Sequence, residues 1–157
     1  MSLRHTSTVL RAEPEIAARV GYFFAEFAAL EWEMDAAFGA VLAIHEPVKD
    51  LFFRDRDGAT QKVNVIRRVV EELAPASEVA LTLKSQKAEL EAVVTFRNSL
   101  AHGIYGAFGR DLRLTTPDHK RQYPLTVQEM DKWLDRLEAV ADEFNFARKR
   151  EWAKRGS

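Results

Sequence analysis

Apolar residues recur at helical spacing in four stretches of the chain. The first runs from about Pro14 to His45, where Phe23, Phe27, Leu30, Met34, Phe38 and Val41 fall at steps of three and four and form one stripe. Ala25, Ala28, Ala29, Ala36 and Ala37 add small positions where another helix can approach closely. Pro14 suits a first helical turn, and Pro47 ends the run because it has no N–H to continue it. The second stretch, Thr60 to Leu73, turns Val63, Ile66, Val70 and Leu73 inward and is followed by Pro75. The third opens with Ser77 as N-cap and Glu78 in its first turn, and carries Leu83, Leu90, Val93, Phe96 and Leu100 as far as Gly103. Gly103 is the residue expected just past the helix end, where a positive φ is needed. The fourth opens on the capping box Thr126-Val127-Gln128-Glu129 and continues with Val127, Met130, Leu134, Leu137, Ala141 and Phe144.

Between the third and fourth stretches the pattern changes. Gly106, Gly109, Pro117 and the alternation Leu112-Arg113-Leu114 predict a short β-hairpin or structured loop over 104–123. Asp55-Arg56-Asp57-Gly58 opens like a calcium loop, but the remaining ligands at loop spacing are missing, so it reads as a turn. The predicted fold is mostly α: an up-down helical bundle of about four main helices with a small β insert before the last. One domain over 1–157 is expected, with residues 1–12 flexible.

Composition narrows the function classes. An apolar share of 46% with 30% charged residues fits a globular chain and not a disordered one. There is no cysteine, which excludes a disulfide framework, a thiolate metal site and a cysteine nucleophile. With no apolar run of membrane-spanning length and no signal pattern, a cytoplasmic protein without a membrane partner is expected. Net charge is −1, but residues 1–45 carry six acids against three bases, while Arg148-Lys149-Arg150 with Lys154 and Arg155 form a basic end. Such an end can touch phosphates, or simply suit the negative pole of a helix dipole. His45-Glu46 does not make a metal site, and no P-loop, dinucleotide fingerprint or Gly-x-Ser-x-Gly occurs, so neither metal nor cofactor is expected.

The chemically distinctive stretch is Arg97-Asn98-Ser99-Leu100-Ala101-His102. At about 100° per residue Asn98 and His102 fall nearly above one another, and Arg97 and His102 bound an arc of about 140°. Ala101 leaves room inside that arc, while Phe96 and Leu100 turn to the core. A guanidinium, an amide and an imidazole on one face suit RNA cleavage by internal transfer. The 2′-OH attacks its own phosphate, so the reaction needs a proton acceptor, a proton donor and positive charge on the phosphorane. Histidine can do either proton job near neutrality, and arginine matches phosphate oxygens bidentately. Asn98 can orient His102 or hold a phosphate oxygen. One motif supplies one histidine, so a twofold dimer pairing these helices would complete the site. The plainer reading is also open: a histidine in a last turn satisfies free carbonyls, and Arg97 can pair with Glu91 or Glu72. Ser99 points off the His102 face and has no base beside it. His119 lies in a basic stretch with Arg110, Arg113, Lys120 and Arg121, near Tyr105 and Tyr123, which reads as an RNA-contacting rim with aromatic stacking or as a polar loop.

At Arg97, the polar Asn98 and His102 the chain resembles the HEPN superfamily, whose motif is an Arg, usually followed by a polar residue, then four to six positions to a His. A mostly helical domain with the motif late in a core helix and a further long helix after it is similar too. The resemblance covers the motif and the general helix layout. It implies a metal-independent ribonuclease, often a toxin or phage-defence effector with an antitoxin as possible partner, working as a homodimer whose motifs face a shared cleft. Carried over, Arg97 binds phosphate, His102 is the acid/base and Asn98 the supporting residue. Some members have a Tyr two residues after the His that a partner nucleotidyltransferase modifies; here that position is Ile104, with Tyr105 one later. Other members only bind nucleotides or proteins. The alternative expectation is thus a non-catalytic helical module for nucleotide, RNA or a protein partner.

Overall fold

A computed structural model describes residues 10–43, 58–108 and 111–155. In chain order the elements are α1 (Pro14–Leu42), α2 (Ala59–Leu73), α3 (Glu78–Ser85), α4 (Lys87–His102), β1 (Ile104–Phe108), β2 (Asp111–Thr115), β3 (Gln122–Pro124) and α5 (Val127–Arg155). The fold is mostly α with a small antiparallel sheet before the last helix. His45, Arg110 and the Asp55–Asp57 turn lie outside the described residues, as do residues 1–9 of the segment expected to be flexible.

Local chemistry sets most element ends. α1 begins at Pro14, whose missing N–H costs nothing in a first turn. It stops at Leu42, short of Pro47, because Ala43 enters the left-handed region at φ 51°. Ser77 caps α3 by accepting from the Ala80 N–H at 3.0 Å, and Thr126 caps α5 by accepting from the Glu129 N–H at 3.1 Å. The third predicted helix is two helices. At Gln86 (φ −92°, ψ 5°) the backbone leaves helical geometry, and the carbonyl of Thr82 receives both the Gln86 N–H (2.8 Å) and the Ser85 hydroxyl (3.1 Å).

The chain gathers into two compact units. One comprises residues 1–27 and 92–137, the other 28–91 and 138–157, so each takes part of α1, α4 and α5. The first holds the motif and the sheet. Its core centres on Phe96, stacked on Trp133 at 4.2 Å and 5°, and met edge-on by Phe23 (5.2 Å) and Tyr123 (5.1 Å). Each such ring pair adds about 1 kcal/mol beyond area burial. Because Phe96 is fully buried, the rotation of α4 is fixed and the residues after it are set on known faces. The sheet order is β1-β2-β3, with Ile104 opposite Thr115 and Thr115 opposite Gln122. Pro124 sits on the edge strand, where its lack of a donor is tolerated.

The second unit buries Leu30, Met34, Phe38, Ile66, Val70 and Phe144 among others. Two expectations change. Leu73, read as inward, is 67% exposed at the end of α2. On α5 the buried stripe is Met130, Trp133, Leu137, Val140, Phe144 and Ala147, while Val127, Leu134 and Ala141 are only half-buried. The basic end of α5 is largely exposed, and most of its charge is met by groups of the chain itself. Arg148 binds Glu33 at 3.0 Å between Trp32 and Trp152, Glu78 takes both Arg150 (3.2 Å) and Lys154 (2.9 Å), and Arg155 donates to the Val41 carbonyl at 2.7 Å.

Candidate functional site

α4 brings Arg97 and His102 out of one short helix end. Arg97 follows the buried Phe96, so its stem leaves the core half-covered and its guanidinium stands 5.8 Å from the rings of Phe24 and Phe27. Those faces supply a weak cation–π attraction. Nη1 donates to Asn98 Oδ1 at 3.3 Å. Nε is buried and has no hydrogen-bond partner among the described residues. The alternative in which an acid neutralises Arg97 is not realised there: Glu91 pairs with Arg67 at 3.6 Å, and no carboxylate among the described residues reaches Arg97. His102 is the last residue of α4 and is exposed, as is Ala101 before it. Ser99 is spent on the helix itself, its hydroxyl donating to the Thr95 carbonyl at 2.8 Å.

Gly103 ends the motif for a reason other than the expected one. Its φ is not in the left-handed region, and its N–H still closes a helical bond to Ser99 O at 2.7 Å. What demands glycine is crowding. A Cβ there would collide with the Ser99 carbonyl, stand 2.6 Å from the Thr115 carbonyl and 2.8 Å from Leu114 Cδ1. Gly103 thus lets β2 run directly under the end of α4.

The expected RNA-contacting rim separates into parts. Tyr105 is a correction: it is buried, its hydroxyl donates to the Leu100 carbonyl at 2.6 Å, and burial pushes its phenol up to about 12. Its ring therefore braces the end of α4 and offers no stacking face. Arg113 is exposed, donates to Gln122 Oε1 at 3.4 Å, and lines a different cavity of about 560 Å³ with Glu13 and Asp111. His119 is exposed in the left-handed region at φ 59°. Lys120 and Arg121, by contrast, come together with Asn98, Thr95 and Ser99 around a cavity of about 510 Å³.

The wall of that cavity opposite α4 is the β2–β3 loop, residues 116–121. Thr116, 4% exposed, organises it. Its hydroxyl donates to Asp118 Oδ1 at 2.5 Å and accepts from the Arg121 N–H at 3.0 Å, and its own N–H reaches the Arg121 carbonyl at 2.9 Å. Asp118 Oδ1 also accepts from the Lys120 N–H at 3.1 Å. The Thr116 hydroxyl foremost, then that amide, hold the Asp118 carboxyl below its usual range. Thr116 and Asp118 were not singled out by sequence. Their signal is a Thr-Pro-Asp run, in which short polar side chains bond their own backbone two residues on.

Among the described residues no group of three or more His, Asp or Glu is placed to hold a metal ion, and no helix is long and apolar enough to cross a membrane. No family model matches this chain, and neither a curated protein nor a solved structure does.

Proposed function

We propose that this chain is a metal-independent endoribonuclease of the HEPN type, acting as a homodimer in which two copies of α4 share one cleft. The observation that carries this reading is the state of Arg97. A half-buried guanidinium, flanked by two aromatic faces and an amide, meets no carboxylate among the described residues. A cation stripped of part of its water without an anion is an unmet electrostatic demand. A phosphate diester meets it, with two oxygens matching the planar fork.

The chemistry follows from the groups on α4. One His102 accepts the proton of the RNA 2′-OH as that oxygen bonds to phosphorus. The His102 of a second copy gives a proton to the departing 5′-oxygen as the P–O bond breaks, leaving a 2′,3′-cyclic phosphate and a 5′-hydroxyl. Arg97 carries the charge that develops on the phosphorane, and Asn98 holds the guanidinium in place. The exposure of His102 at a helix end leaves it open to substrate. An enzyme of this kind acts on cells as a toxin or a defence effector.

The test is incubation of the purified protein with labelled RNA in EDTA, beside the His102→Ala and Arg97→Lys forms. Cyclic-phosphate ends made by the parent chain and reduced at least 100-fold in His102→Ala support the proposal, since removing a general acid or base costs about 10²–10⁴ in rate. Binding without cleavage at any protein concentration points instead to a non-catalytic RNA or nucleotide module.

A further inference from the structure

The cavity between α4 and the β2–β3 loop shares a residue with the motif. Asn98 lines it, and the same Asn98 accepts from Arg97. The far wall is not a random loop. The Thr116 hydroxyl, the Asp118 carboxylate and two backbone amides hold residues 116–121 in one shape before any ligand arrives. That shape presents Lys120 and Arg121, both exposed, at the cavity, and Lys120 Nζ lies 4.0 Å from Asp118 Oδ2. Among the described residues that line the cavity, Asp118 is the only acid, against two cations. The floor is polar and uncharged, formed by Thr95, Asn98 and Ser99. A volume of about 510 Å³ lies within the range of pockets that take one small ligand, and a base paired inside a duplex cannot enter it.

We propose that this cavity seats the nucleotide of single-stranded RNA that adjoins the scissile phosphate, with that nucleotide's own phosphate on Lys120 and Arg121. The assignment rests on the ribonuclease reading for which phosphate is cut; the contact with the strand stands on the cavity. Asn98 is the hinge between the two positions, one face toward Arg97 and one toward the cavity. Lys120 and Arg121 set affinity and register, and take no part in proton transfer.

The experiment measures binding of a fluorescent 2′-O-methyl oligoribonucleotide, which lacks the attacking hydroxyl, across a salt series. The parent chain is compared with the Lys120→Ala/Arg121→Ala double variant and with Thr116→Val, which removes the loop's organising hydroxyl but no charge. Cleavage of the all-ribose oligomer is followed in parallel, and circular dichroism checks folding. The double variant is expected to bind at least tenfold more weakly, with a salt slope shallower by about 1.4, as expected for two lost contacts to single-stranded phosphates. Its KM rises while kcat changes little. Thr116→Val weakens binding with the slope unchanged. If the parent chain cleaves and the double variant binds with the same affinity and slope, the cavity assignment falls and the nuclease reading stands. If the parent chain binds through Lys120 and Arg121 but never cleaves, the nuclease reading falls and the strand contact stands. A mononucleotide bound as tightly as the oligomer, or no binding of either, overturns the assignment of an RNA strand.

Discussion

Two clusters of positive charge in this molecule are built in opposite ways. At the end of α5, Arg148, Arg150 and Lys154 each face a carboxylate, and Arg155 caps the last turn of α1. On α4 and the β2–β3 loop, among the described residues, Arg97 meets aromatic faces and an amide, the side chain of Arg121 has no ion pair, and Lys120 comes no nearer than 4.0 Å to the exposed carboxylate of Asp118. From sequence the α5 end looked the more basic of the two. The difference teaches that a run of cations says little until its counter-ions are found. Cations that face carboxylates hold a fold together, and cations left with dipoles and rings are positioned for an anion that the chain does not supply.

The comparison can be broken by exchanging the expected effects. Arg97→Met should abolish RNA cleavage, at least 100-fold, while leaving the melting temperature nearly unchanged, because no ion pair with a described carboxylate is lost. Arg148→Met should do the reverse. It strands Glu33, whose side chain is only 16% exposed, and removes a guanidinium wedged between two indoles, at a cost of about 2–3 kcal/mol by chemical denaturation. Equal stability losses in the two variants would erase the distinction.

A smaller effect is expected at the junction beside the motif. Gly103→Ala should destabilise the protein by about 2 kcal/mol, since the new methyl meets two backbone carbonyls that cannot step aside. A neutral result in a melting experiment would mean that the end of α4 and β2 are not in contact as described. The smallest effect is on acidification. The carboxyl of Asp118 is held below its ordinary value, so its contribution to the loop is complete above the range in which an unfolded-chain aspartate titrates. That contribution is lost as pH falls through the lower, folded value. Amide exchange at Lys120 should accelerate in that acid window and not near neutrality. Asp118→Asn should show the faster exchange at every pH. The α5 cluster offers the matched control, because Lys154 likewise holds the Glu78 carboxyl low.

Much of the local structure was legible in the sequence because its causes are local. Pro14 starts α1, Ser77 and Thr126 cap their helices by side-chain oxygens, and the stripe from Phe23 to Phe38 is buried. The alternation at 112–114 and the surrounding glycines marked the sheet. The spacing of Arg97, Asn98 and His102 put three polar groups at one helix end, since helical geometry depends only on residue count. What sequence could not reach were the partners. Nothing in the residue types around Tyr105 says that its hydroxyl will be taken by the Leu100 carbonyl and its ring lost as a stacking surface.

The chain by itself therefore determined which segments coil, where they are capped and which residues carry usable chemistry, because each depends on neighbours a few positions away. Only the tertiary structure decided which charges are already neutralised, why Gly103 has no side chain, and that Asn98 faces the same cavity as Lys120 and Arg121. Most of those outcomes depend on groups from separate elements of the chain, where packing and desolvation choose the partner and sequence spacing carries no record of it.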